Sequence, residues 1–291
     1  MTASQAGDGQ ALYVATSLGD AVAALAARAP HAVPLAGATW IMRAPIRQER
    51  DHRAIPYVAI GAIDELRRID VNDHEIVIGA CTTHAEVAAR LGGLPDCRGL
   101  AAAAGNAANP AIRRIATIGG NLCAVKFAAS DFAPALLAAG ARVELRSPGG
   151  MRKLPIERFL ESRSTLIPGS LLVRLVVPRG QMRSAHVRLP LRKAGDYPVA
   201  IVSMAAKLAR DGIAGEIRIA VGSVEPVARR WPHLEAELTG RKLDADRSHA
   251  LAAADAGSFS GREAVEAPGW YRLQVLPALV RRAVEILQAQ P

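Results

Sequence analysis

The chain has 291 residues, half of them hydrophobic but only 4% aromatic, so Ala, Leu, Val and Ile must fill its core. That length suits about two domains, and no run of ~18 or more uncharged apolar residues argues for a membrane span. The net charge of +9 suits an anionic partner, but the basic residues are scattered as pairs such as Arg67-Arg68, Arg113-Arg114, Arg229-Arg230 and Arg281-Arg282, which argues against nucleic-acid binding.

The polar start, Met1 to Gln5, has no basic region followed by an apolar stretch, so no signal peptide is read and a cytoplasmic protein is expected. Ser17 is placed to cap a helix in which Leu18, Val22, Leu25 and Ala26 recur at helical spacing. Ala32 to Ala36 reads as a short buried strand running into a turn at Gly37. Val58 to Ile60 and Glu75 to Ala80 read as strands, with a short turn or helix at 64–69 between them. Thr83 is a cap for a helix over 84–91, and an Ala-rich helix is expected from Gly99 to Ala108. Ser130 or Asp131 then caps a helix through Ala139. Arg142 to Arg146 alternates as a strand, Ser147 to Gly150 is a hairpin turn, and Leu154 to Ile156 opens a strand into 157–160. Leu171 to Val177 is a strand stopped by Pro178. After a boundary near 178–183, strands are expected at 185–189, 199–210 and 216–224, and helices at 231–240, 244–256 and 270–289.

Two small-residue bends carry the chemistry. Pro34-Leu35-Ala36-Gly37-Ala38-Thr39-Trp40 and Ala116-Thr117-Ile118-Gly119-Gly120-Asn121 each read as a turn with exposed N–H groups. Such a concave set of amides binds an anion, most often a phosphate, and two of them suit a pyrophosphate. The carboxylate of Asp131, ten residues past the second bend, suits ribose hydroxyls. G-x-G-x-x-G after the first strand and G-x-x-x-x-G-K-[ST] are both missing, against a Rossmann site or a P-loop. Cys81, Cys97 and Cys123 form no C-x-x-C pair and read as buried thiols, with no metal or cluster site of their own. His84 reads as a helix-start residue near the ligand loop, with a hydrogen-bonding role at that ligand as the other reading.

These two bends stand in order with Ile78-Gly79-Ala80-Cys81-Thr82-Thr83-His84-Ala85-Glu86, Ala129-Ser130-Asp131 and Arg192-Lys193-Ala194-Gly195-Asp196-Tyr197. As a set they resemble the FAD-binding medium subunit of molybdenum hydroxylases, the xanthine dehydrogenase and carbon monoxide dehydrogenase family, over nearly the whole chain. The resemblance implies an α+β fold: a two-lobed FAD-binding domain (PCMH-type) over residues 1–178, then a smaller domain over 183–291 with a three-stranded antiparallel sheet and helices. It implies that both bends hold the FAD pyrophosphate through main-chain N–H groups. Asp131 would bond the adenosine or ribityl part, Leu172 would be an apolar contact, and Tyr197 would lie near the isoalloxazine. It also implies a heterotrimer, or two such trimers paired, with a large molybdopterin subunit and a small subunit carrying [2Fe–2S] clusters. This chain would pass electrons from those clusters through FAD to an external acceptor. A stand-alone NAD(P)H-dependent flavin oxidoreductase is the alternative, although no nicotinamide-site signature is found. Several positions depart from the family pattern. Ala38 replaces a Gly, Trp40 replaces a small or polar residue, Lys126-Phe127 replaces Asp-Pro, and Leu189, beside Arg188, stands where many relatives carry Lys.

Overall fold

The computed structural model of the chain describes residues 12–43, 55–180, 182–191 and 197–290. The polar start at 1–5 and residues 192–196 of the Arg192 to Tyr197 stretch lie outside them. Among the described residues the strands form three sheets.

The first lobe contains β1 (Leu12–Val14), α1 (Leu18–Ala27), β2 (Val33–Leu35) and β3 (Tyr57–Ala59). Its strands pair in parallel in the order β1-β3-β2. Ser17 caps α1 as its position predicts, its hydroxyl accepting from the Asp20 N–H at 3.1 Å. Ala21, Val22, Ala24 and Leu25 face inward and share a core with Val58, Ile60 and Leu66.

The second lobe contains β4 (Ile69–Val71), β5 (Glu75–Gly79), α2 (His84–Leu91), α3 (Arg98–Asn106), α4 (Pro110–Arg113), α5 (Ile118–Cys123) and α6 (Phe132–Ala139). It continues with β6 (Arg142–Ser147), β7 (Gly150–Pro155), α7 (Ile156–Leu166) and β8 (Leu171–Pro178). The sheet is antiparallel in the order β4-β5-β8-β6-β7. Thr83 and Glu86 form a reciprocal capping box on α2. The hairpin expected at 147–150 is present, with Ser147 paired to Gly150 across Pro148-Gly149. The strand expected from Leu154 into 157–160 is instead the end of β7 followed by α7. Ile156, Phe159, Leu160 and Arg163 are buried at helical spacing, and that pattern decides the segment. Ser130, not Asp131, caps α6: its hydroxyl accepts from the Ala133 N–H at 3.1 Å, and Asp131 makes no side-chain cap.

The C-terminal part contains β9 (Arg183–Pro190), β10 (Pro198–Leu208), β11 (Ala214–Gly222), β12 (Arg229–Arg230), α8 (Pro232–Leu238), α9 (Ala245–Asp255), α10 (Gly269–Gln274) and α11 (Leu276–Gln288). The expected three-stranded meander gains a fourth strand, β12, held to β11 at Ala220–Arg230 and Val221–Arg229. The helix expected over 270–289 is split at Val275, because Pro277 has no N–H to continue a helix through its own first turn. Leu276, Leu279, Val280, Ala283, Val284 and Leu287 form the stripe that α11 buries against this sheet.

Helix α6 joins the two halves. Its residues from Phe132 to Ala138 are all buried, as an apolar sequence on every face requires, and it packs against β10 and β11. Gly222 permits the close approach, since a Cβ there would lie 2.8 Å from Pro134 Cγ.

Candidate functional site

Between the lobes and the start of β10 lies a cleft of about 450 Å³, within the range of cofactor pockets. Its wall takes residues from the first bend, the β5–α2 connection, the 107–113 segment, the second bend, the start of β8, and Arg188, Tyr197 and Pro198. Every site residue expected from the sequence is on this wall except Leu35 and Ile118. Leu35 ends β2, and Ile118 is wholly buried in the second-lobe core.

The first bend follows the C-terminal end of parallel strand β2, where such sheets open their ligand crevices. Gly37 is required by proximity: a Cβ there would stand 2.0 Å from the Ile115 carbonyl oxygen. The two bends therefore touch each other. Ala38 adopts φ +56°, the left-handed conformation that its replaced glycine would take freely, at a cost of ~1–2 kcal/mol. Ala108, across the wall, is also left-handed at φ +47°. Among the described residues, the N–H groups of Gly37, Ala38 and Thr39 have no hydrogen-bond acceptor.

The second bend is different. It is the first turn of α5, capped by Thr117, whose hydroxyl accepts from the Gly120 N–H at 3.2 Å. The Ile118 N–H donates to Thr82 O (2.9 Å), Gly119 to Ala80 O (2.8 Å) and Asn121 to Thr117 O (3.0 Å). The expectation that residues 117–121 offer a row of open amides is therefore corrected, because the N–H groups of 118–121 are used within the fold. What this bend leaves without an acceptor among the described residues are the Thr117 N–H and O–H and the Asn121 side-chain NH2; Asn121 Oδ1 accepts from Ser130 Oγ. The two glycines also separate. A Cβ on Gly119 would meet Ala80 Cβ and O at 2.7 Å, whereas one on Gly120 meets only Thr117 Oγ1, at 2.9 Å.

Asp131 lies between the two halves of the molecule and is 4% exposed. Its Oδ1 is 2.9 Å from Arg188 Nε and 3.2 Å from His186 Nε2, and His186 Nδ1 is 2.9 Å from Ser203 Oγ. Arg188 Nη1 also donates to Asn106 O at 3.0 Å. Asp131 is thus a clasp to β9 and β10 as well as a cleft residue. Where many relatives carry Lys stands Leu189, which packs on the third-sheet core; the cation at the cleft is its neighbour Arg188.

Three rings cross the cleft. Trp40 lies 4.9 Å from Phe127, Phe127 lies 5.3 Å from Tyr197, and the Arg43 guanidinium stands 5.2 Å over the Tyr197 ring. Phe127 was missed as a site residue, although the departure at Lys126-Phe127 was its signal. Leu172 on β8 supplies apolar wall. Cys81, on the same wall, is buried, which pushes its thiol up to about 12 and leaves it protonated at neutral pH. His84 is 2% exposed, and burial, reinforced by Arg113 and opposed by Asp131, holds its imidazole down at about 4. Among the described residues no group of three or more His, Cys, Asp or Glu is placed to hold a metal ion. No helix among them is long and apolar enough to cross a membrane.

Comparison with known proteins gives this cleft its context. Residues 6–180 match the model of the FAD binding domain in molybdopterin dehydrogenase, and residues 185–287 match the CO dehydrogenase flavoprotein C-terminal domain. The chain is 31% identical to the 6-hydroxypseudooxynicotine dehydrogenase complex subunit alpha of Paenarthrobacter nicotinovorans, over 93% of this chain and 92% of that one. It is 28% identical to the xanthine dehydrogenase FAD-binding subunit of Escherichia coli O157:H7, over 93% of each. The structure of carbon monoxide dehydrogenase from Hydrogenophaga pseudoflava superposes with a TM-score of 0.86 at 28% identity, covering 96% of this chain and 97% of that one. The chain therefore belongs to the FAD-binding flavoprotein subunits of the molybdenum-containing oxidoreductases, the family of xanthine and carbon monoxide dehydrogenases.

Proposed function

We propose that the cleft holds FAD in an extended form and that the chain relays electrons within a complex. They would enter from [2Fe–2S] clusters on a small subunit, after substrate oxidation on a large molybdopterin subunit, and leave to an external acceptor. The observation that carries this reading is the set of unpaired amides at Gly37, Ala38 and Thr39, facing a cleft and packed onto the second bend through Gly37. Open N–H groups beside small residues suit a diphosphate, and the apolar wall beyond them suits a flat ring.

Each residue then has its own task. The amides of 37–39 bind the diphosphate, and the Thr117 hydroxyl and Asn121 NH2 add donors from the facing bend. Gly120 keeps that approach open. Asp131, fixed by Arg188 and His186, presents its second oxygen to ligand hydroxyls. Trp40, Phe127 and Tyr197 exclude water from one side of the cleft. The isoalloxazine, when bound, supplies the electron-carrying chemistry. We divide the chain at 178–183, between the end of β8 and the start of β9, and read the assembly as a heterotrimer or a pair of heterotrimers in the cytoplasm.

Two measurements test this. The absorbance spectrum of the purified chain, with identification of the released cofactor, should give flavin bands and one FAD per chain. Copurification should bring down two further subunits, one containing iron and sulfide. A lone, yellow monomer turning over NADH would favour a stand-alone flavin oxidoreductase instead.

A further inference from the structure

His84 is the N-terminal residue of α2, and its backbone N–H donates to Ala116 O at 3.1 Å, so the helix start is joined to the second bend. The residue lines the cleft, and its ring stands edge-on to Phe132 with centroids 5.9 Å apart. It is 2% exposed, and its Nδ1 is buried with no hydrogen-bond partner. Among the described residues neither ring nitrogen has one. A buried polar atom left unpaired costs free energy, and native proteins rarely retain one without a reason.

We infer that His84 is a ligand-binding residue of the cleft, its imidazole hydrogen-bonding a hydroxyl of the polyol part of the bound flavin nucleotide. This rests on the FAD reading above. A hydroxyl suits the site better than a phosphate. The ring is neutral, so it has one donor and one acceptor nitrogen, and a hydroxyl satisfies either. A phosphate accepts only, and it would approach the Asp131 carboxylate, whose field acts on the His84 ring. The Arg113 guanidinium also acts on that ring, but it is committed to the carbonyls of Ala107 and Ala108 at 3.1 and 2.7 Å. The diphosphate has its own amides at 37–39.

The test compares the full-length wild-type chain, stripped of cofactor, with His84→Phe and His84→Gln, by fluorescence titration with FAD and by urea unfolding without it. Phe fills the ring volume and carries no unpaired nitrogen. FAD affinity should therefore fall about three- to tenfold in H84F, while the stripped protein is as stable as wild type or more so. H84Q, whose amide can donate and accept, should recover part of the affinity. In wild type the nitrogen NMR signals of His84 should move on adding FAD and stay on adding inorganic pyrophosphate. Unchanged FAD affinity in H84F, or His84 signals indifferent to FAD, overturns the inference while leaving the FAD reading intact. A wild-type chain that binds no FAD overturns both.

Discussion

Neighbouring glycines at the second bend should fail in different ways. In Gly119→Val the new Cβ falls 2.7 Å from both Ala80 Cβ and Ala80 O, about 1 Å inside ordinary contact, and two further methyl groups follow it. The neighbour is backbone, and the same Ala80 oxygen accepts the Gly119 N–H, so relief of the clash breaks a buried hydrogen bond. Overpacking of ~1–3 kcal/mol and a lost bond of ~1 kcal/mol together predict a loss of about 3 kcal/mol. In Gly120→Val the Cβ meets only the Thr117 hydroxyl at 2.9 Å. A weakened cap costs ~1 kcal/mol, and replacing Gly within a helix returns part of it, so stability should change by less than ~1 kcal/mol. Its bulk projects at the cleft wall, so FAD affinity should fall at least tenfold. Urea unfolding of the cofactor-free chains and FAD titration of each separate the two cases. If G120V unfolds like G119V, or binds FAD like wild type, the assignment of Gly119 to packing and Gly120 to the cleft is wrong.

Ala38→Gly relieves a left-handed alanine at φ +56° but loosens the unfolded chain, for a net gain of ~0.5–1 kcal/mol in urea unfolding; no gain would mean that residue 38 is not left-handed in solution. Asp131→Ala leaves Arg188 and His186 without their shared carboxylate and should cost about 3 kcal/mol, together with a loss of FAD affinity; wild-type stability would remove the clasp. His84 gives a pH signature. Its folded value of about 4 lies below the usual 6.5, so between these the unfolded chain binds the extra proton and stability falls as pH drops. The contribution is present above pH ~6.5, lost towards pH ~4, and at most ~3 kcal/mol. Chemical denaturation across that window should show a shallower decline in H84F than in wild type; parallel curves would mean that burial does not depress His84.

Local signals made much of the fold legible. Ser17 and Thr83 announce their helices because a cap needs only residues three positions away. The Pro148-Gly149 hairpin is equally local. What escaped depends on distant partners. The second bend read as an open turn because the acceptors of its Ile118 and Gly119 N–H groups, Thr82 O and Ala80 O, lie nearly 40 positions earlier in the chain. Asp131 read as a cofactor ligand or a helix cap and not as a clasp, since its ion pair with Arg188 forms only when α6 packs on the third sheet. The role of Phe127 needs Trp40 and Tyr197 brought beside it from two other parts of the chain. Strand β4, three residues with a central Asp70, is too short and too polar to read. The positions of both bends were legible, because small residues clustered next to strands have few other uses. Which amides stay open was not, since that is decided by tertiary packing.

A crystal structure of the chain with FAD bound tests the central claim most directly. The account predicts diphosphate oxygens within hydrogen-bonding distance of the Gly37, Ala38 and Thr39 amides, with the nucleotide running through the cleft past Gly120. A diphosphate seated away from those amides would contradict it.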